Sequence, residues 1–283
     1  MIIRHDLQLL FLHVPKCAGK EVRQLFERNA APGQCESLFN YRYCPVLQRQ
    51  VDMAHQPLAD LAHQPEFALL ERYRSVACIR SPYERLISAI SEYHRQHSKA
   101  MEQRVQHNRL RRRHGLAYLR ALLTGISSRD PRFVHALPIS SFTHYGTEPK
   151  VDVLLRCEQL SSDLASAAAS GQLPQAIAAA STGALRQNVP LQLAQHPCRD
   201  EVIALANLLY VEDFLSFGYT MLPTPEQLDR PIRRQLEALG QIQQSHSQPF
   251  IHLTPLVQWH WGPSSVRPEP HALAPTRAQP IGR

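Results

Sequence analysis

The sequence predicts an α/β protein with a mainly parallel sheet flanked by helices. Three observations carry that expectation. Short apolar runs stand at Gln8–Val14, Ser75–Ile79 and Val151–Leu155, a helical pattern follows each run, and a tight turn separates run from helix at the first two. A continuous apolar run marks a strand buried on both faces, which is how parallel strands sit when helices cover the sheet. Ligands of such sheets bind beyond the carboxyl ends of the strands, so the turns after these runs are where chemistry is to be sought.

The first run (QLLFLHV) stops at Pro15, and Lys20–Ala30 then reads as a helix with Val22, Leu25 and Phe26 on one face. The second (SVACI) ends in the turn Arg80-Ser81-Pro82. Pro82 suits a first helical turn, where its missing N–H would have no intrahelical partner. Tyr83, Leu86, Ile87, Ile90 and His94 recur at helical spacing, while Ser81, Glu84, Arg85 and Ser88 fall on the opposite, polar face. A long helix is expected over Val105–Leu123. A helix should follow the third strand after Glu158, and a single amphipathic helix should run over Arg199–Phe217. No repeat of fixed period is visible.

Length allows one large domain with a sizeable core. Ten of the 22 prolines lie between Pro223 and Pro280. We therefore expect one domain over residues 1–222, a helical or irregular appendage over 223–262, and a Pro-rich, disordered tail over 263–283. The formal net charge of +7 favours anionic partners. Arg109–His114 reads as a solvated helix face or as a cradle for an anionic acceptor. Without interleaved aromatics it does not suggest specific nucleic-acid binding. Trp259 and Trp261 read as packing residues of the appendage, with stacking on a sugar as the alternative.

Six cysteines show no CxxC pair and no zinc-type grouping, so reduced thiols and no metal are expected. The apolar run Leu7–Val14 is too short and wrongly flanked for a signal peptide. Residues 164–185 lack charge but are too polar to cross a bilayer. A cytoplasmic protein without a membrane span is the expectation.

The loop His13-Val14-Pro15-Lys16-Cys17-Ala18-Gly19-Lys20-Glu21 joins a buried strand to a helix start. Unpaired N–H groups and the helix dipole favour an anion there, Gly19 permits close backbone approach, and a lysine adds a point charge. It is not a Walker A loop, because the earlier glycine is absent.

The opening MIIRHDLQLLFLHVPKCAGKEV resembles the start of bacterial members of the family 2 (carbohydrate-type) sulfotransferases, which typically read FIHIPKTAGTS. The resemblance implies a P-loop-like sulfotransferase fold and 3′-phosphoadenosine 5′-phosphosulfate (PAPS) as donor, with no metal. Pro15, Lys16, Cys17, Ala18, Gly19 and Lys20 would hold the 5′-phosphosulfate end, Lys16 contacting the oxygen that leaves. Cys17 stands where Thr or Ser is usual, and Lys20-Glu21 replaces Thr-Ser. Backbone N–H groups and Lys20 would then substitute for the missing hydroxyls.

The stretch Val76–Ala89 resembles the family's second signature, VRDPYERLVSAY, which implies that Arg80 and Ser88 hold the 3′-phosphate. A guanidinium suits a phosphate because it donates two parallel hydrogen bonds. Weaker likenesses run to about residue 220: Val151–Leu160 resembles "vD.i.rfEnL", Leu185–Asn188 resembles "hlN", and Leu209–Tyr219 resembles "lY..Df..FGY". Arg186 and Asn188 are thereby candidates for donor contact.

Sulfuryl transfer needs a base for the acceptor hydroxyl. His55, in Met53-Ala54-His55-Gln56-Pro57-Leu58, is similar to the family's "gH.pl" segment, and a neutral imidazole accepts protons at physiological pH. Glu66 and His63 are alternatives, and His13 reads as a positioning residue. Expected partners are PAPS, its product adenosine 3′,5′-bisphosphate, and a saccharide or polysaccharide acceptor. The rival readings are a P-loop-type phosphotransferase using ATP and a degenerate, non-catalytic anion- or polysaccharide-binding relative.

Overall fold

The computed structural model describes residues 1–28, 30–97, 108–123, 131–179 and 193–244. Among these, five strands form a central, mostly parallel sheet: β1 (Ile2–Arg4), β2 (Leu9–Leu12), β3 (Cys35–Ser37), β6 (Arg74–Ile79) and β9 (Val153–Arg156), in the spatial order β3-β1-β2-β6-β9. The three apolar runs supply β2, β6 and β9, which lie parallel with Leu12 opposite Ala77 and Ile79 opposite Arg156. Their carboxyl ends therefore share one edge. β1 and β3 extend the sheet antiparallel on the other side of β2.

Helix α1 (Gly19–Glu27) follows β2 and buries Val22, Leu25 and Phe26 against it. A two-stranded hairpin, β4 (Tyr41–Cys44) with β5 (Arg49–Asp52), then leads to the short α2 (Leu58–Leu61). Helix α3 (Pro82–His97) follows β6, and α4 (Asn108–Leu123) packs beside it. Residues 105–107 of the expected long helix lie outside the described residues. After the single turn α5 (Ser140–Thr143), a small ribbon of β7 (His144–Tyr145) and β8 (Glu148–Pro149) precedes β9. Asp152 ties the starts of β6 and β9 by accepting Ser75 N–H at 2.7 Å and Ser75 Oγ–H at 2.8 Å. Helices α6 (Leu160–Ala169) and α7 (Gln175–Ala179) come next.

The single helix expected over Arg199–Phe217 is two, α8 (Arg199–Leu209) and α9 (Val211–Phe217). The break has a local cause. Tyr210 turns into the core and donates its hydroxyl to Ala136 O at 2.7 Å. The buried Asp213 carboxylate then takes the N–H groups of Ile139 and Ser140 at 2.7 and 2.9 Å. A final helix, α10 (Arg230–Gln244), lies against α4 and α8 with Ile232 sealed between them. Residues 245–283, with Trp259, Trp261 and the Pro-rich tail, lie outside the described residues. No helix among the described residues is long and apolar enough to cross a membrane.

Candidate active site

The loop after β2 is shaped by its backbone. Lys16 and Ala18 both adopt positive φ, 65° and 53°. Such conformations turn successive N–H groups toward one side, the arrangement of anion-holding concavities. Gly19 opens α1 beneath the His13 ring, and a Cβ added there would lie 1.7 Å from His13 Nε2, so no side chain fits without moving the imidazole. Lys20 is exposed and Cys17 sealed. Burial works to raise the Cys17 thiol. A hydrogen bond with Cys157 and the charges of Arg85 and Arg80 outweigh it and hold the thiol below its ordinary value. All six cysteines are free.

The corner after β6 is shaped by side chains. Arg80 ends the strand almost buried, 3.7 Å from Glu84. Glu158 holds the turn by accepting Ser81 N–H at 2.7 Å and is itself met by the Tyr219 hydroxyl at 3.1 Å. Ser88 lies two turns along α3, buried. The polar face assigned to this helix is corrected at Arg85, which is 1% exposed rather than solvated. Its Nε donates to Pro15 O at 3.0 Å, binding the two corners together, and its buried Nη2 has no partner among the described residues. The reason is positional: the first turns of α3 are enclosed on nearly every side, so this guanidinium has the neighbouring loop as its partner instead of water.

Three residues not singled out from the sequence stand beside these side chains. Glu92, on the later part of α3, accepts from Lys16 Nζ at 3.0 Å and also engages Arg95. Asp52, at the end of β5, meets His55 Nδ1 at 2.8 Å through Oδ2 and takes the Ala54 N–H through Oδ1 at 2.9 Å. Burial works to raise the Asp52 carboxyl, but the His55 hydrogen bond and charge leave it below its ordinary value. A carboxylate on Nδ1 keeps the proton there, so Nε2 is the nitrogen left to accept another. His135 lies against His55, with ring centroids 5.2 Å apart. Burial first, then the nearby charges of His55 and Lys16, push His135 down to about 3. His13, 4.7 Å from His55 between centroids, is pushed down to about 2, chiefly by burial. Both rings are neutral at physiological pH. The Asx-like spacing of Asp52 and His55 (i, i+3) was the one available signal; Glu92 and His135 had none.

Glu66 is engaged by Arg42 at 2.6 Å, and His63 is half-buried after α2. Arg112, from the charge run on α4, is committed to Glu201 at 2.6 Å, while Arg111 and Arg113 are exposed. Arg186 and Asn188 lie outside the described residues.

The parallel sheet, the loop after β2 and the flanking helices define a P-loop-like α/β protein. The model of the sulfotransferase family matches residues 1–220, most of the chain. The chain belongs to that family, the family 2 sulfotransferases, and is by membership a transferase enzyme. Comparison with curated proteins and with solved structures gives no match.

Proposed function

We propose that the chain moves the sulfuryl group of PAPS onto an acceptor hydroxyl, carried by a carbohydrate, through in-line displacement assisted by a general base. The donor supplies an activated sulfur–oxygen bond and no metal is called for. Its fit is argued from the loop. Positive φ at Lys16 and Ala18 and the glycine beneath His13 together suit a bound anion. Lys16, Cys17 and Gly19 would meet the 5′ end, and Arg80 with Ser88 the 3′-phosphate.

His55 Nε2 takes the proton of the acceptor hydroxyl as its oxygen bonds to sulfur, and Asp52 holds the ring and offsets the imidazolium charge. The bond from sulfur to the phosphate oxygen breaks, and the Lys16 ammonium stabilises the charge left on that oxygen. Glu92 holds Lys16 until the nucleotide competes for it. The observation that supports this reading is geometric: the His55 ring lies 4.7 Å from His13 between centroids, and His13 rests on Gly19, so the proposed base stands beside the loop that carries Lys16. Six free thiols suit a cytoplasmic setting.

Thermal unfolding with adenosine 3′,5′-bisphosphate or ATP tests the donor. Stabilisation by the bisphosphate at concentrations where ATP has little effect is expected. A preference for ATP, or no response to either, would overturn the reading.

A further inference from the structure

The β4–β5 hairpin has two unlike faces. Residues directly opposite in an antiparallel pair project to the same side, so Tyr41 with Asp52 and Tyr43 with Gln50 share one face, and Arg42 with Val51 and Cys44 with Arg49 share the other. The second is the inner face. Cys44 and Val51 are sealed, Arg42 bonds Glu66, and Arg49 bonds Asp60 at 2.5 Å. The first is turned outward. Tyr41 is 64% and Tyr43 56% exposed, and Val46 in the hairpin turn is 66% exposed. This outer face ends at Asp52, the residue that holds His55.

We propose that the outer face of the hairpin is the acceptor platform, where a saccharide chain lays its rings on Tyr41 and Tyr43 and presents one hydroxyl to His55. This rests on the sulfotransferase reading above. The chemistry of the face selects the occupant. Tyrosine combines an apolar ring with a wet hydroxyl, the pairing that suits a sugar with one C–H face and a rim of hydroxyls. Gln50 adds a donor and an acceptor for such hydroxyls. Rings two residues apart on a strand are separated by about 7 Å, which favours a chain of sugar units over one small flat molecule. Tyr41 stands opposite Asp52 in the register, at the end of the face nearest His55. An apolar protein partner fits poorly, because Gln50 and Asp52 interrupt the face with polar groups.

The test uses wild-type and Tyr41→Ala/Tyr43→Ala chains saturated with adenosine 3′,5′-bisphosphate, titrated calorimetrically with cellohexaose, chitohexaose and a hyaluronan hexasaccharide. At least one hexasaccharide should bind the wild type, and the double substitution should weaken it by about tenfold, the loss of two ring-stacking contacts. The bisphosphate thermal shift, which also reports folding, should be the same in both chains. No hexasaccharide binding to the wild type, or binding undiminished by the substitution, overturns the platform. So does a dimer that the substitution dissolves in light scattering, since the face would then serve self-association. A wild type that ignores the bisphosphate sinks the sulfotransferase reading instead, and the two failures are told apart.

Discussion

The corners after β2 and β6 stand on adjacent strands but are built from different material. The first is a backbone device: two left-handed residues, a glycine under an imidazole, and one lysine restrained by Glu92. The second is a side-chain device: two arginines at 8% and 1% exposure and a glutamate that fixes the turn. Backbone N–H groups do the same work whatever side chain they carry, so Cys17 and Lys20 can stand where hydroxyl residues are usual in the resembling sequences. A corner that depends on a guanidinium has no such latitude.

That contrast divides the expected effects of substitution. Lys16→Ala removes the charge proposed to meet the leaving oxygen, and transfer from radiolabelled donor should fall about a thousandfold with little change in bisphosphate affinity. Equal losses in turnover and affinity would make Lys16 a binding residue and erase the distinction. His55→Ala should lower turnover about a hundredfold with donor binding retained. Asp52→Asn should lose less, and Asp52→Glu should recover part of it; a normal rate in His55→Ala moves the base elsewhere.

Arg80→Ala should weaken bisphosphate binding about tenfold by calorimetry and leave turnover at saturating donor close to wild type. An unchanged affinity would remove the 3′-phosphate from the second corner. A separate effect concerns acid. His13 and His135, beside the first corner, are held at about 2 and about 3 when folded, against 6.5 when unfolded. Between those values the unfolded chain binds the extra proton, so the two rings cost nothing above pH 6.5 and destabilise the folded chain increasingly as pH falls below it. Each should cost at most about 1.4 kcal/mol per pH unit over that range. In urea unfolding at pH 5 and 7, His135→Gln should show a shallower loss than wild type.

What could be read in advance was local. Both corners announced themselves as an apolar run, a Pro or Gly, and a helical stripe, because strand burial, turn chemistry and helix periodicity all act over a few residues. The strands β1 and β3, three residues each, are too short to show a period. Glu92 and His135 reach the site from 76 and 80 residues beyond Lys16 and His55, and only the packing of α3 and the turn at Pro131–Ala136 brings them there. Arg85 was misjudged for a physical reason: a charge on a helix is usually solvated, and nothing local says that a neighbouring carbonyl will take its place. The break at Tyr210 likewise depends on partners at Ala136, Ile139 and Ser140.

Gly19 carries a consequence that reaches past the loop. Because its missing side chain leaves room for His13, and His13 rests on His55, the proposed donor loop and the proposed base are mechanically one assembly. Even a single methyl group introduced at residue 19 would displace His13 from a cluster of imidazoles packed at angles to one another. The loop that would grip the nucleotide and the ring that would draw off the proton therefore have to be altered together, if at all.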